Sequence, residues 1–217
     1  MGGGVHPPHS RVPAGTGFVG GGILDQMAPG PALAAFTADA TARGLSVLSD
    51  DELAGVLCAR RRLASWAAAG QAGIITELHA RRALQAAERK NAHLIEHVSD
   101  EIAAALTLTG RSAQVLLDIS LNLARLPLTR AALTAGIIDW ARATVITTET
   151  GVLSGVHAAE AEAAVLPGAG DMTTTMLRRF LQTLDPEAAG ERRRGSAARR
   201  PGGTAGRTVR HQHPGRP

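Results

Sequence analysis

His93-Leu94-Ile95-Glu96-His97 has the residue types and spacing of a zinc enzyme. Histidines four apart share one helix face and can hold a Zn²⁺, with a glutamate as general base. A third ligand is required, and none stands at a motif spacing; Glu160 and Glu162 qualify only as carboxylates further along. The plain alternative is a solvated helix start with two incidental histidines, because motifs this short arise by chance. Gly15-Thr16-Gly17-Phe18-Val19-Gly20 carries the three spaced glycines of a dinucleotide loop. That loop works only between a strand and a helix, where the helix N-terminus meets the pyrophosphate. Ser10 to Ala14 is no strand and Gly21-Gly22 opens no helix, so the match follows from composition. Cys58, the single cysteine, lies beside an apolar stripe and reads as a small core residue rather than a nucleophile. There is no Gly-x-Ser-x-Gly elbow and no Gly-Lys-Ser/Thr phosphate loop.

A second group of residues points to nucleic acid. Glu101 to Leu106, then Thr107 to Gly110, then Arg111 to Leu116 has the length and rhythm of a helix-turn-helix. Its second helix would offer Arg111, Ser112 and Gln114 near the N-terminus, side chains able to contact phosphates or base edges. The alternative is an ordinary corner of a helical bundle. Net charge adds less than it promises. The chain is +4 overall, but residues 191–217 hold eight arginines and one acid, whereas residues 1–190 are net −3. The tail could neutralise phosphates without reading sequence. It lacks interleaved aromatics, so base stacking is unsupported. Arg, Gly, Pro and Ala are also what GC-rich codons give in any frame, so a reading-frame accident is an alternative.

These residues must be held by helices. Ala and Leu dominate the apolar content, with three Phe, two Trp and no Tyr, a composition that favours helix over β-sandwich. Residues 1–30 are rich in Gly, Pro and His without periodicity and read as loop or disorder, up to Pro29-Gly30-Pro31. A short helix follows from Ala32 to about Ala42. Ser49-Asp50-Asp51-Glu52 is a capping box. The stripe Leu53, Val56, Leu57, Leu63, Ala64, Ala67, Ile74 and Leu78 then predicts one long helix to about Ala87, kinked near Gly70 or Gly73. Arg60-Arg61-Arg62 and Arg81-Arg82 fall mainly on its other faces. Helices are further expected over Glu101–Leu106, Arg111–Leu126, Pro127 to Gly136, Ile137–Thr148, His157–Leu166 and Thr173–Leu184, with Asp185-Pro186 as the stop. Ile137–Thr148 is β-branched enough for a strand, but no other strand is available to pair with it. After Gly190 the Arg/Gly/Pro composition predicts disorder. One cysteine excludes an internal disulfide and suits a reducing cytosol. No run is long enough to span a membrane, and the N-terminus lacks the features of a signal peptide or a myristoylation site.

Several stretches together resemble one family. Gly22-Ile23-Leu24-Asp25 with Pro29-Gly30-Pro31 is the first. Residues 48–82, LSDDELAGVLCARRRLASWAAAGQAGIITELHARR, are the second. Residues 96–146, EHVSDEIAAALTLTGRSAQVLLDISLNLARLPLTRAALTAGIIDWARATVI, are the most specific. Residues 157–189, HAAEAEAAVLPGAGDMTTTMLRRFLQTLDPEAA, follow in the expected place. The chain resembles the actinobacterial domain of unknown function two-two-two, also called the thirteen-E-twelve repeat family, over roughly residues 20–190. The resemblance implies a helical domain without established activity, usually followed by an HNH endonuclease domain. The expected paired cysteines and His-Asn-His fold do not follow Asp185-Pro186-Glu187, so no nuclease residue carries over.

The resulting expectation is an all-α, irregular helical bundle with one long helix and a helix-turn-helix-like corner, flanked by disordered termini. Its segments are 1–30, a helical domain over 31–188, and a tail over 189–217. The functional expectation is a cytoplasmic accessory domain, truncated before the nuclease, that binds nucleic acid through Arg111, Ser112 and Gln114. It is not an enzyme by itself and has no cofactor and no membrane partner. A protein-interaction or oligomerisation module built on the long helix is the alternative. A zinc enzyme using His93 and His97 is the third reading.

Overall fold

In a computed structural model, residues 17–90 and 93–184 are described. The expected tail over 189–217, the Asp185-Pro186 stop and residues 1–16 lie outside them. The described chain is all-α, with no strand among the described residues. In order it forms α1 (Ile23–Gln26), α2 (Pro31–Ala42), a 3-10 turn (Leu45–Val47), α3 (Asp50–Arg89), α4 (His93–Glu96) and α5 (Val98–Leu106). There follow α6 (Gly110–Ala124), α7 (Pro127–Thr134), α8 (Trp140–Thr150), α9 (Gly155–Ala169) and α10 (Thr174–Thr183). None of the described helices is long and apolar enough to cross a membrane.

The 40 residues of α3 make it about 60 Å long at 1.5 Å per residue. Its start is the expected capping box: Ser49 Oγ accepts from the Glu52 N–H at 3.3 Å, and the Glu52 carboxylate accepts from the Ser49 N–H at 3.1 Å. Helix continues unbroken through Gly70 and Gly73, where a kink was expected. Three clusters pack along α3 at different heights. Val56 and Ala59 join Phe18, Leu24, Leu33 and Ala40. Ala69 and Ala72 join the core shared by α6 to α10. Ile75 joins Val98, Ile102, Ala113 and Leu117 of α5 and α6.

This arrangement corrects the expected stripe. The buried residues of α3 are Val56, Ala59, Ser65, Ala69, Ala72, Ile75 and Ala86 with the capping Glu52, whereas Leu57 and Ile74 are more than 70% exposed. A helix served by neighbours from different sides has no single buried face, so one stripe cannot describe it. Cys58 is likewise exposed rather than part of the core.

The expectation that residues up to 30 are unstructured is corrected over 17–30. Phe18 is 1% exposed and Leu24 is buried. The segment lies against α3 at Gly55, where an added Cβ would stand 1.9 Å from the Phe18 carbonyl oxygen. Arg62 donates to the carbonyls of Asp25 and Leu24, closing the end of α1.

Arg62 is one of three successive arginines that each fasten a different element to α3. Arg60 donates to the Thr37 carbonyl at 3.2 Å and to Thr41 Oγ1 at 3.0 Å, both on α2. Arg61 pairs with Asp139 at 2.7 Å, the residue that caps α8. These side chains, expected mainly on the faces of α3 away from its apolar stripe, are structural ties. Asp139 also accepts from the N–H of Arg142 at 2.9 Å and pairs with its guanidinium at 2.7 Å. Arg142 in turn donates to the carbonyls of Ala169, the last residue of α9, and Met172, between α9 and α10.

The β-branched run resolves as helix. Asp139 caps α8, and the buried Thr147 and Thr150 hydroxyls donate to the carbonyls of Ala143 and Ile146. Such back-bonding satisfies a buried hydroxyl within its own helix, so no strand partner is needed. The first turn of α7 has no capping side chain of its own. Glu162 from α9, 1% exposed, accepts from the Thr129 N–H at 2.6 Å and supplies the missing acceptor.

Candidate functional site

The histidine motif does not assemble a site. α4 ends at Glu96, and His97 leaves the helix as the residue before α5. The His93 ring Nδ1 lies 2.8 Å from Glu96, and the His97 Nδ1 lies 3.0 Å from Asp100. Each imidazole is thus engaged by its own neighbouring carboxylate, and all four groups are mostly exposed. Among the described residues no group of three His, Cys, Asp or Glu could hold a metal ion. Glu162 is committed to the N-terminus of α7. The first two residues of the glycine motif, Gly15 and Thr16, lie outside the described residues; Gly17 takes a left-handed backbone at φ 82° in the approach to α1.

The expected corner forms between α5 and α6. Their join is the three residues Thr107, Leu108 and Thr109, a length typical of helix-turn-helix units. Thr107 takes the left-handed conformation, φ 54° and ψ 46°, where glycine is commoner. Thr109 then caps α6 by accepting from the Ser112 N–H at 3.2 Å. Ile102, Ala113 and Leu117 with Val98 hold the two helices together. Of the expected contact residues, Ser112 Oγ is 2.9 Å from Thr109 Oγ1 and Gln114 donates to Asp118 at 2.9 Å. Arg111 alone of the three projects without a side-chain partner among the described residues, and Asp118 puts a negative charge on the same helix.

A second feature lies beside α5. A groove of about 920 Å³ runs between the middle of α3, the end of α5 and the outer edge of α7. Its α3 wall carries Ala64, Ala67, Ile74 and Leu78, the very residues that the sequence reading assigned to the core. Ile102 and Leu106 form the α5 wall, and Trp66 lines it as well. Ile74 is 72% exposed and Leu106 42%. Gln71, Glu101, Arg130 and Thr134 are the groups with polar ends. Both Glu101 oxygens accept from Arg82, at 2.8 and 2.9 Å. That guanidinium holds the Glu101 carboxyl below its ordinary value against the opposing effect of burial, and Arg82 is raised in return. The Thr134 hydroxyl donates to the Arg130 carbonyl at 2.8 Å. Arg130 itself is exposed and its side chain has no partner among the described residues.

No family model, curated protein or solved structure matches the chain. The groove therefore has to be read from its own chemistry. Sequence reasoning missed it because an apolar stripe on a long helix looks the same whether or not a neighbour covers it. The available signal was the string of small residues, Ala64, Ala67, Ala68 and Gly70, which provide little apolar mass for a stretch said to anchor a core.

Proposed function

We propose that this chain is a helical binding module, not a catalyst, and that the groove between α3, α5 and α7 is its working surface. The observation that carries the reading is that the open apolar residues Ala67, Ile74 and Leu106 line one concave space shared by α3, α5 and α7. Ligand sites are concave, mainly apolar and furnished with a few polar groups, and about 920 Å³ falls in their usual range of roughly 300–1,000 Å³. This agrees with the resemblance to a helical accessory domain and keeps the reducing cytosol as the proposed setting. A neutral solvatochromic dye, Nile Red, tests it. Saturable binding is expected, lost in Ile74→Glu and kept in Leu57→Glu, which alters an equally exposed position of α3 outside the groove. Equal binding by both variants would refute the assignment.

One observation favours a second reading, nucleic-acid contact by the α5–α6 corner: Arg111 extends from the first turn of α6 beside a helix-turn-helix join. The arginine triplet lends it no support, since all three side chains are engaged within the fold. Titration with duplex DNA at two salt concentrations decides. Arg111→Ala should weaken binding and flatten its salt dependence; an unchanged titration removes the corner from consideration.

A further inference from the structure

We infer that the groove takes a free single-chain carboxylate amphiphile, its apolar body along α3 and its carboxylate on Arg130; the inference rests on the groove being the working surface. The charges around the groove carry it. Glu101 is neutralised by two bonds from Arg82, and the Thr134 hydroxyl is used within α7. Gln71 is uncharged. Arg130 is then the one charge at the groove with no partner among the described residues. A guanidinium presents a fork of donors that matches a carboxylate with two parallel bonds. Apart from the Trp66 indole N–H, the rest of the wall is apolar: Ala67, Ile74 and Leu78 of α3, and Ile102 and Leu106 of α5. A ligand complementary to this has one anionic end and an apolar body. A quaternary ammonium amphiphile would set its charge against Arg130, and a fully polar anion would leave the apolar wall wet. The size also favours a small molecule over a protein surface. A stable protein interface buries about 800 Å² on each partner, whereas this groove is confined to the middle turns of α3 between two short helices.

The fold supplies its own reporter. Trp66 lines the groove, and the second tryptophan, Trp140, packs partly buried against the main core. The variant Trp140→Phe leaves Trp66 as the sole emitter. Dodecanoate, dodecan-1-ol and dodecyltrimethylammonium, each below its micelle threshold, are titrated against it while Trp66 emission is followed. A saturable shift is expected with dodecanoate, about tenfold tighter than with the cation. Adding Arg130→Gln should weaken dodecanoate about tenfold, as loss of a charge-assisted bond implies, and leave the alcohol unchanged. Circular dichroism matching the parent shows that this exposed substitution has not altered the fold. If the alcohol binds as tightly as dodecanoate and Arg130→Gln has no effect, the carboxylate assignment is overturned while the apolar groove stands. If none of the three gives a saturable shift, both fall. A response confined to an amphipathic helical peptide overturns the amphiphile as well.

Discussion

Three glycines within α3 should respond oppositely to the same substitution. At Gly73 an added Cβ meets nothing within 4 Å, and the same holds at Gly70. Alanine there gains the usual helix propensity, about 1 kcal/mol, and for a chain of this size should raise Tm by roughly 2–4 °C. At Gly55 the new Cβ would lie 1.9 Å from the Phe18 oxygen and 2.6 Å from its carbonyl carbon. Ordinary contact begins near 3.4 Å, so the segment before α1 must move by more than an ångström or leave α3. What holds it is the burial of Phe18 and Leu24, roughly 1.5–3 kcal/mol each, together with the two Arg62 bonds. The entropy of ordering the segment opposes these. The net hold is thus smaller than the gross, and the clash exceeds the propensity gain. Gly55→Ala should release residues 17–27 while α8 and α10 stay folded. Amide hydrogen exchange reads this directly. The Leu24 N–H, bonded to the Gly17 carbonyl at 3.0 Å, and the Gln26 N–H, bonded to Gly22, should lose at least about tenfold in protection. Amides of α8 should be unchanged. Retained protection at Leu24 would refute the proposed contact, and uniform loss across α8 and α10 would refute its independence from the main core.

Two other expectations follow from acids that hold helix starts. Glu162→Ala strips the N-terminus of α7 of its acceptor and leaves the Thr129 N–H unpaired, costing about 1–3 kcal/mol; thermal denaturation should show a fall of several degrees, and an unchanged Tm would mean the bond contributes nothing. Asp139 sits between opposed influences: burial raises its carboxyl, but the Arg142 N–H and the Arg61 and Arg142 guanidinium groups together hold it below its ordinary value. Its folded-state pKa is the lower one, so its stabilisation is complete above about pH 4 and disappears as pH falls through the folded value. Denaturant titrations from pH 5 to pH 2 should show a shallower decline in Asp139→Asn, with a remaining slope in the same direction from Glu101, which Arg82 also holds low. An identical decline in both proteins would contradict the assignment.

What could be read in the sequence was local. Ser49 with Glu52 announces the start of α3 because both partners of the capping box lie within one turn, and the flanking apolar rhythm places the α5–α6 join at Thr107 to Gly110, one residue longer than observed because Gly110 opens α6. Residues whose role depends on a distant partner were misread. Phe18 stood in a glycine-rich stretch that looked unable to order itself; its anchor, Gly55, is 37 positions away. Glu162 resembled any surface glutamate until α7 arrived with an uncapped first turn. Ile74 resembled core because helical spacing records only that residues share a face, not whether that face is covered. The groove was present in the sequence as its lining and invisible as a space.

The arginine triplet has a consequence for how α3 keeps time with the rest of the chain. Consecutive positions on an α-helix point about 100° apart, so Arg60, Arg61 and Arg62 reach toward α2, α8 and the end of α1 in three directions from nearly one height. The triplet acts as a phase lock. A single residue inserted just before it would turn the triplet by about 100° against Val56 and Ala59, on which α1 and α2 pack, so that Arg60 and Arg62 would miss their marks at once, although no arginine had been lost. Indels in this turn should be far less tolerated than substitutions, and a lone missing arm should leave the other two holding the helix in register.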